Sequence, residues 1–268
     1  MTTATTTAPA PLAPPMRSRL VSDALVMTQR NLLKYTRVPT LLVFSTIQPV
    51  MFVLLFVYVF GGAIRIPGVN YTNFLMAGIF VQTSVFGSTQ TGVSLAEDMH
   101  KGMVERFRSL PMSRSAVLIG RTVSDGVRNG FVVLLMTAVG YLVGFRFQAG
   151  FVKAVGALLL AVAFGFAFSW ISATIGLAVR DVESAQAATF VWVFPLTFAS
   201  SAFVPVSGFP GWLQAFARIN PITIGVDAIR ALVLGTDLTP RLWQAILWIV
   251  VLLAVFIPLA VRTYRKAV

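Results

Sequence analysis

Residues 152 to 178 read VKAVGALLLAVAFGFAFSWISATIGLA, with a single charge, Lys153, at one edge. The run is longer than the ~20 residues an α-helix needs to cross the hydrocarbon core of a bilayer. Its apolar residues are continuous, which is not the alternation of a transmembrane barrel strand. Working outward, five more apolar stretches follow the same pattern, so six spans are placed at about 40–61, 72–95, 117–144, 152–178, 185–206 and 242–261. Composition agrees: 57% of residues are hydrophobic and 11% charged, 22 are Phe, and the mean hydropathy is +0.82, whereas roughly a quarter of the residues in soluble domains are charged. The expected fold class is an all-α polytopic membrane protein with six transmembrane helices in one domain, residues 18–268, and no separate soluble domain.

The net charge of +12 could signal a nucleic-acid partner in a soluble protein. Here the basic residues fall between apolar runs, so they report topology and no nucleic acid is expected. With both termini inside, the inner loops and tails hold fourteen Lys and Arg and the outer ones six, which is the better fit to the positive-inside rule. Arg128, near a membrane boundary, belongs to neither set. The absence of cysteine excludes disulfides and thiolate chemistry. Residues 1–17, rich in Thr, Ala and Pro, are expected to be a disordered cytoplasmic tail, neither a signal peptide nor a span. From 18 to 38, Asp23, Arg30, Lys34 and Arg37 lie opposite Val21, Leu25, Thr28 and Leu32, the pattern of a basic amphipathic helix in the cytoplasmic headgroup region.

Between the second and third runs lies EDMHKGMVERFRSLPMSR, residues 97–114. Leu95, Met99, Met103, Phe107 and Leu110 recur at spacings of 4, 4, 4 and 3 and form one helical stripe, while Glu97 with Lys101 and Glu105 with Arg108 pair across the polar faces. Pro111 ends the pattern. Such a helix either rests on the lipid surface or docks into a groove of a soluble partner. His100 has no second His or nearby Asp for a metal or a triad and reads as a polar-face residue. Arg180, Asp181 and Glu183 form a tight inner turn.

The second span carries Gln82, Thr83, Ser84, Ser88, Thr89, Gln90 and Thr91, and the fifth offers Phe190, Trp192, Phe194 and Phe198. Hydroxyl and small residues in spans serve close helix packing or interhelical hydrogen bonds. Alternatively, Gln82, Ser84, Ser88 and Gln90 with Phe190, Phe194 and Phe198 would line a path for an amphipathic, ring-containing compound. No acid is expected at mid-membrane depth, which argues against a proton relay. Asp125 and Arg128 are spaced to pair at i, i+3, with Arg121 snorkelling to the cytoplasmic interface. Between Pro205 and the last span, residues 207–238 contain two pieces broken at Asn220-Pro221, each too short to cross. They are expected to re-enter the outer leaflet, with Trp212 and Phe216 on one face and Asp227 paired to Arg230 as a structural pair or part of an exit gate.

The block GIFVQTSVFGSTQTGVSLAEDMHKGMVERFRSLPMSRSAVLIGRTVSDGVR, residues 78–128, and the block FPGWLQAFARINPITIGVDAIRALVLG, residues 209–235, resemble the permeases of type-2 ABC exporters. The likeness is greatest to the daunorubicin-resistance-type drug-efflux permeases of actinobacteria. The resemblance implies that 18–38 is an elbow helix and that 97–113 is a coupling helix contacting an ABC ATPase subunit. Its contacts would be Glu97, Met99, Lys101, Gly102, Met103, Glu105, Arg106, Phe107, Arg108, Leu110 and Pro111. It also implies two ATPase copies, a second permease copy or homologue, and a bacterial cell membrane location. No stretch fits G-x-x-x-x-G-K-[ST], so the chain is expected to bind no cofactor and to be non-catalytic, with ATP and Mg on the partner. A lipid or polysaccharide export permease shares the architecture. A stand-alone carrier or lipid-acting enzyme is the other class, but no cluster of His, Asp, Glu or Lys at one membrane face supplies an active site.

Overall fold

The computed structural model describes residues 16–37, 40–64, 66, 68–103, 114–236 and 239–267. Among these the chain is helical and contains no strand. The helices are α1 Met16–Arg37, α2 Thr40–Leu54 continued by a π-helical stretch Leu55–Phe60, α3 Tyr71–His100, α4 Arg114–Leu142, α5 Gly150–Val179, α6 Val182–Phe198, α7 Gly211–Ile219, α8 Pro221–Leu234 and α9 Thr239–Ala267. By length and composition alone, α5 and α9 are apolar enough to cross a membrane. The most apolar stretch of α9 is only 17% buried. Its apolar side chains therefore face outward, as lipid contact requires and a soluble core helix does not.

The centre of the molecule is α3, which packs on α4, α5, α6 and α8. Small residues allow the close approach to α5. A side chain at Gly92 would strike the Ser172 carbonyl, and one at Gly176 would strike the Gly92 carbonyl. This is small-residue packing of the kind that holds helices together where lipid removes any hydrophobic drive between them. The larger apolar core gathers Phe80, Phe145, Phe164, Phe168 and Ile222 around this crossing, and a second, smaller cluster joins Met27, Leu95, Leu118, Trp170 and Tyr264.

Helix α1 lies along α4. Its packed face is Ala24, Met27, Thr28, Asn31 and Tyr35, a helical repeat, and Gly120 on α4 has only hydrogen where Met27 and the α1 backbone approach. Thr28, assigned from sequence to the apolar face with Val21 and Leu25, is instead buried and donates to the Ala24 carbonyl at 2.8 Å and to the Gly120 carbonyl at 3.3 Å. Val21 and Leu25 remain outward at 58% and 64% exposure.

Two sequence expectations change. The continuous helix expected over 97–113 is interrupted: α3 runs on to His100, and a turn at Lys101–Gly102 closes it. Lys101 N–H donates to the Glu97 carbonyl and Gly102 N–H to that of Met99, with Gly102 at φ 63° in the left-handed region that glycine tolerates. Leu95 belongs to the second core cluster and Met99 packs against it. The expected fifth span, 185–206, is helical only to Phe198. There Asn220 intervenes, its Nδ2 donating to the carbonyls of Leu196 at 2.7 Å and Ala199 at 3.0 Å. The following residues fold inward, bringing the Ala202 carbonyl against Gly78, where any side chain would clash. Asn220 also caps α8, its Oδ1 accepting from Ile222 N–H at 2.9 Å, with Pro221 at the first helical position.

Candidate functional site

A cavity of about 620 Å³ runs beside α3. One face of that helix, Gln82, Phe86, Gln90, Val93 and Glu97, forms its length, and the 1.5 Å rise per residue makes that face about 22 Å long. Tyr35 of α1, Gln48 of α2, Arg121, Arg128 and Asn129 of α4, and Gln186 and Phe190 of α6 complete the walls. Of the residues assigned to a path from sequence, the structure therefore brings Gln82, Gln90 and Phe190 together. Ser84 and Ser88 are fully buried and are not among the lining residues. Gly165 on α5 presses on Ser84, leaving no room for a Cβ.

Phe194 and Phe198 lie outside the cavity in a strip that continues its aromatic wall. Phe190 and Phe194 have ring centroids 5.3 Å apart, Phe194 and Phe198 are stacked at 5.7 Å, and Phe198 meets Phe203 at 5.4 Å, which stacks on Phe56 at 4.5 Å. The spacing i, i+4, i+8 on α6 produces this row. Phe194 and Phe198 are each 42% exposed.

The polar wall is set by one acid. Asp125, fully buried on α4, accepts from Tyr35 Oη at 2.8 Å, Thr91 Oγ1 at 2.7 Å and Arg121 Nε at 3.2 Å. Three helices thus converge on one carboxylate. Sequence reading placed no acid deep in the membrane segment and paired Asp125 with Arg128. In the structure the acid is buried and its ion pair is with Arg121, one turn back on its N-terminal side at i−4. Arg121 is correspondingly buried and does not snorkel.

Arg128 reaches across to α3 instead. Its Nη2 donates to the Gly87 carbonyl at 2.6 Å and to Asn129 Oδ1 at 3.2 Å, and its guanidinium lies 5.7 Å from the Tyr35 ring centroid. A side chain at Gly87 would meet the Asn129 amide and displace it. Tyr35, Arg121, Arg128 and Asn129 were not assigned to the site from sequence. The one available signal was that Arg128 fits neither side of the charge count.

On the opposite side of the fold, Asp227 and Arg230 pair at 3.0 Å, as their spacing predicts. Ser201 Oγ donates to Asp227 at 2.7 Å, and Arg230 donates to the Ser201 carbonyl at 2.7 Å while stacking on Phe74 at 3.5 Å. Trp212 and Phe216 lie instead on the exposed face of α7, at 75% and 39% exposure, so the four residues assigned to an exit gate do not form one cluster. Glu97 and Lys101 form the expected ion pair on the last turn of α3, and Met103 follows the turn. Glu105, Arg106, Phe107, Arg108, Leu110 and Pro111 lie outside the described residues. Among the described residues no group of His, Asp or Glu could hold a metal ion.

At the inner turn, Asp181 caps α6. Its carboxylate accepts from Ser184 N–H at 2.8 Å, and the hydrogen bonds from Ser184 hold it below the usual carboxylate range. Arg180, the residue before it, sits in the left-handed region at φ 61°.

Comparison with known proteins places these features in a family. The sequence model described as ABC-2 type transporter matches residues 23–234. The daunorubicin resistance ABC transporter permease protein DrrB1 of Streptomyces coeruleorubidus is 38% identical over 257 residues, covering 94% of this chain and 89% of that protein. A probable doxorubicin resistance ABC transporter permease protein DrrC of Mycobacterium tuberculosis is 24% identical, covering 92% and 90%. A putative transport permease, ycf38 of Cyanophora paradoxa, is 27% identical, covering 79% and 74%.

Proposed function

The chain belongs to the ABC-2 type transporter family, and from that premise we propose that it is the permease subunit of an ATP-driven exporter in a bacterial cell membrane, moving amphipathic, drug-like compounds outward. The observation that carries this reading is the cavity beside α3, which combines a polar wall from α3 and α4 with an aromatic wall from α6 in a volume suited to one small molecule.

In this reading α2, α3, α4, α5, α6 with the residues after it, and α9 are the six spans, with both termini cytoplasmic. The elbow is α1, resting its outward Val21 and Leu25 in the headgroup region. Helices α7 and α8 are too short to cross and dip back from the outer side, the backbone at their junction covered by Asn220, whose Oδ1 accepts from Ile222 N–H and whose N–H donates to the Phe216 and Ala217 carbonyls. A cargo enters the cavity near Glu97, slides its ring along Phe190, and leaves past Phe194 and Phe198 as a pair of permease copies alternates its exposure.

The chain itself binds no nucleotide; two copies of a separate ATPase carry ATP and Mg. The Lys101–Gly102 turn confines the docking surface to Met103 and the residues that follow it, with Glu97 and Met99 acting as the base that transmits movement into α3. Phe107 and Leu110 are the anchors. Purification of the tagged protein from its native membrane, followed by mass spectrometry, should recover an ATPase subunit. Phe107→Ala with Leu110→Ala should lose it, since truncating an interface anchor commonly costs about 2 kcal/mol or more. Normal ATPase recovery and export by that double variant would contradict the docking assignment.

A further inference from the structure

The cavity has a chemical polarity beyond its shape. Three buried polar atoms of residues lining it have no hydrogen-bond partner among the described residues: Arg128 Nε, Gln82 Oε1 and Thr83 Oγ1. Their residues are 5%, 3% and 5% exposed. A buried polar atom without a partner costs free energy unless something supplies the missing bond. Two are on neighbouring positions of α3, and the third comes from α4 at the level of Gly87, about one helical turn further along α3 in the same cavity.

The charges favour one kind of ligand. Of the two arginines, only Arg121 is hydrogen-bonded to the Asp125 carboxylate, which also accepts from Tyr35 and Thr91; Arg128 has no carboxylate bonded to it among the described residues, so it brings a positive charge to this level of the cavity. The other charged lining residue, Glu97, is ten residues further along α3 than Gly87, about 15 Å away by helical rise, and is ion-paired with Lys101. Tyr35, the remaining titratable lining residue, donates its hydroxyl to Asp125. A cationic head at the Arg128 level would meet a guanidinium, whereas an oxyanion would complete its hydrogen bonding with a charge-assisted bond.

Resting on the reading of this cavity as the transport path, we propose that Arg128 anchors the cargo's head and that the preferred cargo is an amphiphile bearing an oxyanion (carboxylate, sulfate or phosphate) beside a hydroxyl. The oxyanion accepts from Arg128 Nε, the hydroxyl donates to Gln82 Oε1, and Thr83 Oγ1 bonds to either. The apolar or aromatic body lies against Phe86 and Phe190, whose ring centroids are 6.4 Å apart.

The test uses the full-length chain in nanodiscs of zwitterionic lipid and two fluorescent probes with the same body and opposite heads, pyrenebutyrate and pyrenebutyl-trimethylammonium. The anion should bind about tenfold more tightly, the discrimination expected of one charge-assisted hydrogen bond. Arg128→Gln should erase that preference and Arg128→Lys should keep part of it. Because Arg128 also holds the Gly87 carbonyl, Gln82→Leu provides an independent reading. This change removes the unpartnered Oε1 along with the rest of the amide and breaks no hydrogen bond to Arg128, so it should leave folding intact, yet it should weaken binding of a hydroxyl-bearing pyrenebutyrate. Equal affinities for the two heads, a tighter cation, or a preference that survives Arg128→Gln would overturn the proposal. Gln90→Trp, which fills the cavity, separates the two levels. Loss of both probes in that variant, with no head preference in the parent, overturns the head-group assignment alone. Retention of both probes overturns the transport-path reading itself.

Discussion

Neutralising one side chain should cost this protein more than its size implies. Asp125→Asn removes the carboxylate ion-paired with Arg121 and leaves a guanidinium buried at 6% exposure without that counter-charge. Breaking one side of a buried ion pair typically costs about 3–5 kcal/mol, whereas replacing both members with apolar residues of similar volume is often neutral. Unfolding in detergent should therefore show Asp125→Asn as severely destabilised and Arg121→Met with Asp125→Leu as largely restored. Equal stability of Asp125→Asn and the parent would mean that the Tyr35, Thr91 and Arg121 bonds to this carboxylate contribute nothing. The residue types of this knot were visible in the sequence, but its wiring was not. A helix offers Asp125 two basic neighbours, at i−4 and i+3, and the choice between them depended on Gly87 giving Arg128 a carbonyl to reach across α3. That contact spans 41 positions and leaves no trace in local spacing. Gln82 and Gln90 were legible because polar amides in an apolar run are costly anywhere but a lined cavity or a hydrogen-bonded interface. Ser84 and Ser88 carried the same signal and turned out to be packed: Ser88 satisfies its hydroxyl on the Val85 carbonyl at 2.6 Å, whereas Ser84 is held against Gly165 of α5.

At the scale of elements, hydrophobic run length located most helices well, and the boundaries shifted where a side chain from elsewhere intervened. Helix α6 stops at Phe198 because Asn220, 22 positions later, takes up the carbonyls at its end. The break at Gly102 is local: a glycine two residues after the last helical residue, His100, and in the left-handed region is a normal C-terminal signal. The stripe continuing through Met103 and Phe107 concealed it. Asp181 illustrates an element end that depends on pH. Hydrogen bonds from Ser184 hold its carboxyl below the usual range, so its capping contribution is complete above the ordinary carboxylate pKa and is lost as the pH falls through the lower folded value. At neutral pH the cap is fully formed, and amide exchange at Val182–Ala185 should be constant from pH 7 to 5 after correction for intrinsic rates. Exchange should rise only below about pH 4, the ordinary aspartate range, and Asp181→Ala should show the raised rate at every pH. A cap that weakens already at pH 6 would contradict this assignment.

For the whole molecule, the account rests on a division of labour. The α3–α5 crossing is too tightly packed to move apart, with Gly92 and Gly176 pressed on opposing backbone, whereas the α3–α6 side holds the cavity and the half-exposed Phe194 and Phe198. Movement delivered to the end of α3 is therefore expected to open and close the α6 side. The measurement that bears most directly on this is ATP-driven uptake of a fluorescent amphiphile into inverted membrane vesicles containing the permease and its co-purified ATPase, compared with the same vesicles carrying Gln90→Trp. The account predicts ATP-dependent uptake by the parent and none by the variant, with equal amounts of ATPase retained by both. Undiminished uptake by Gln90→Trp would contradict it, because cargo would then be crossing by a route that does not include the cavity beside α3.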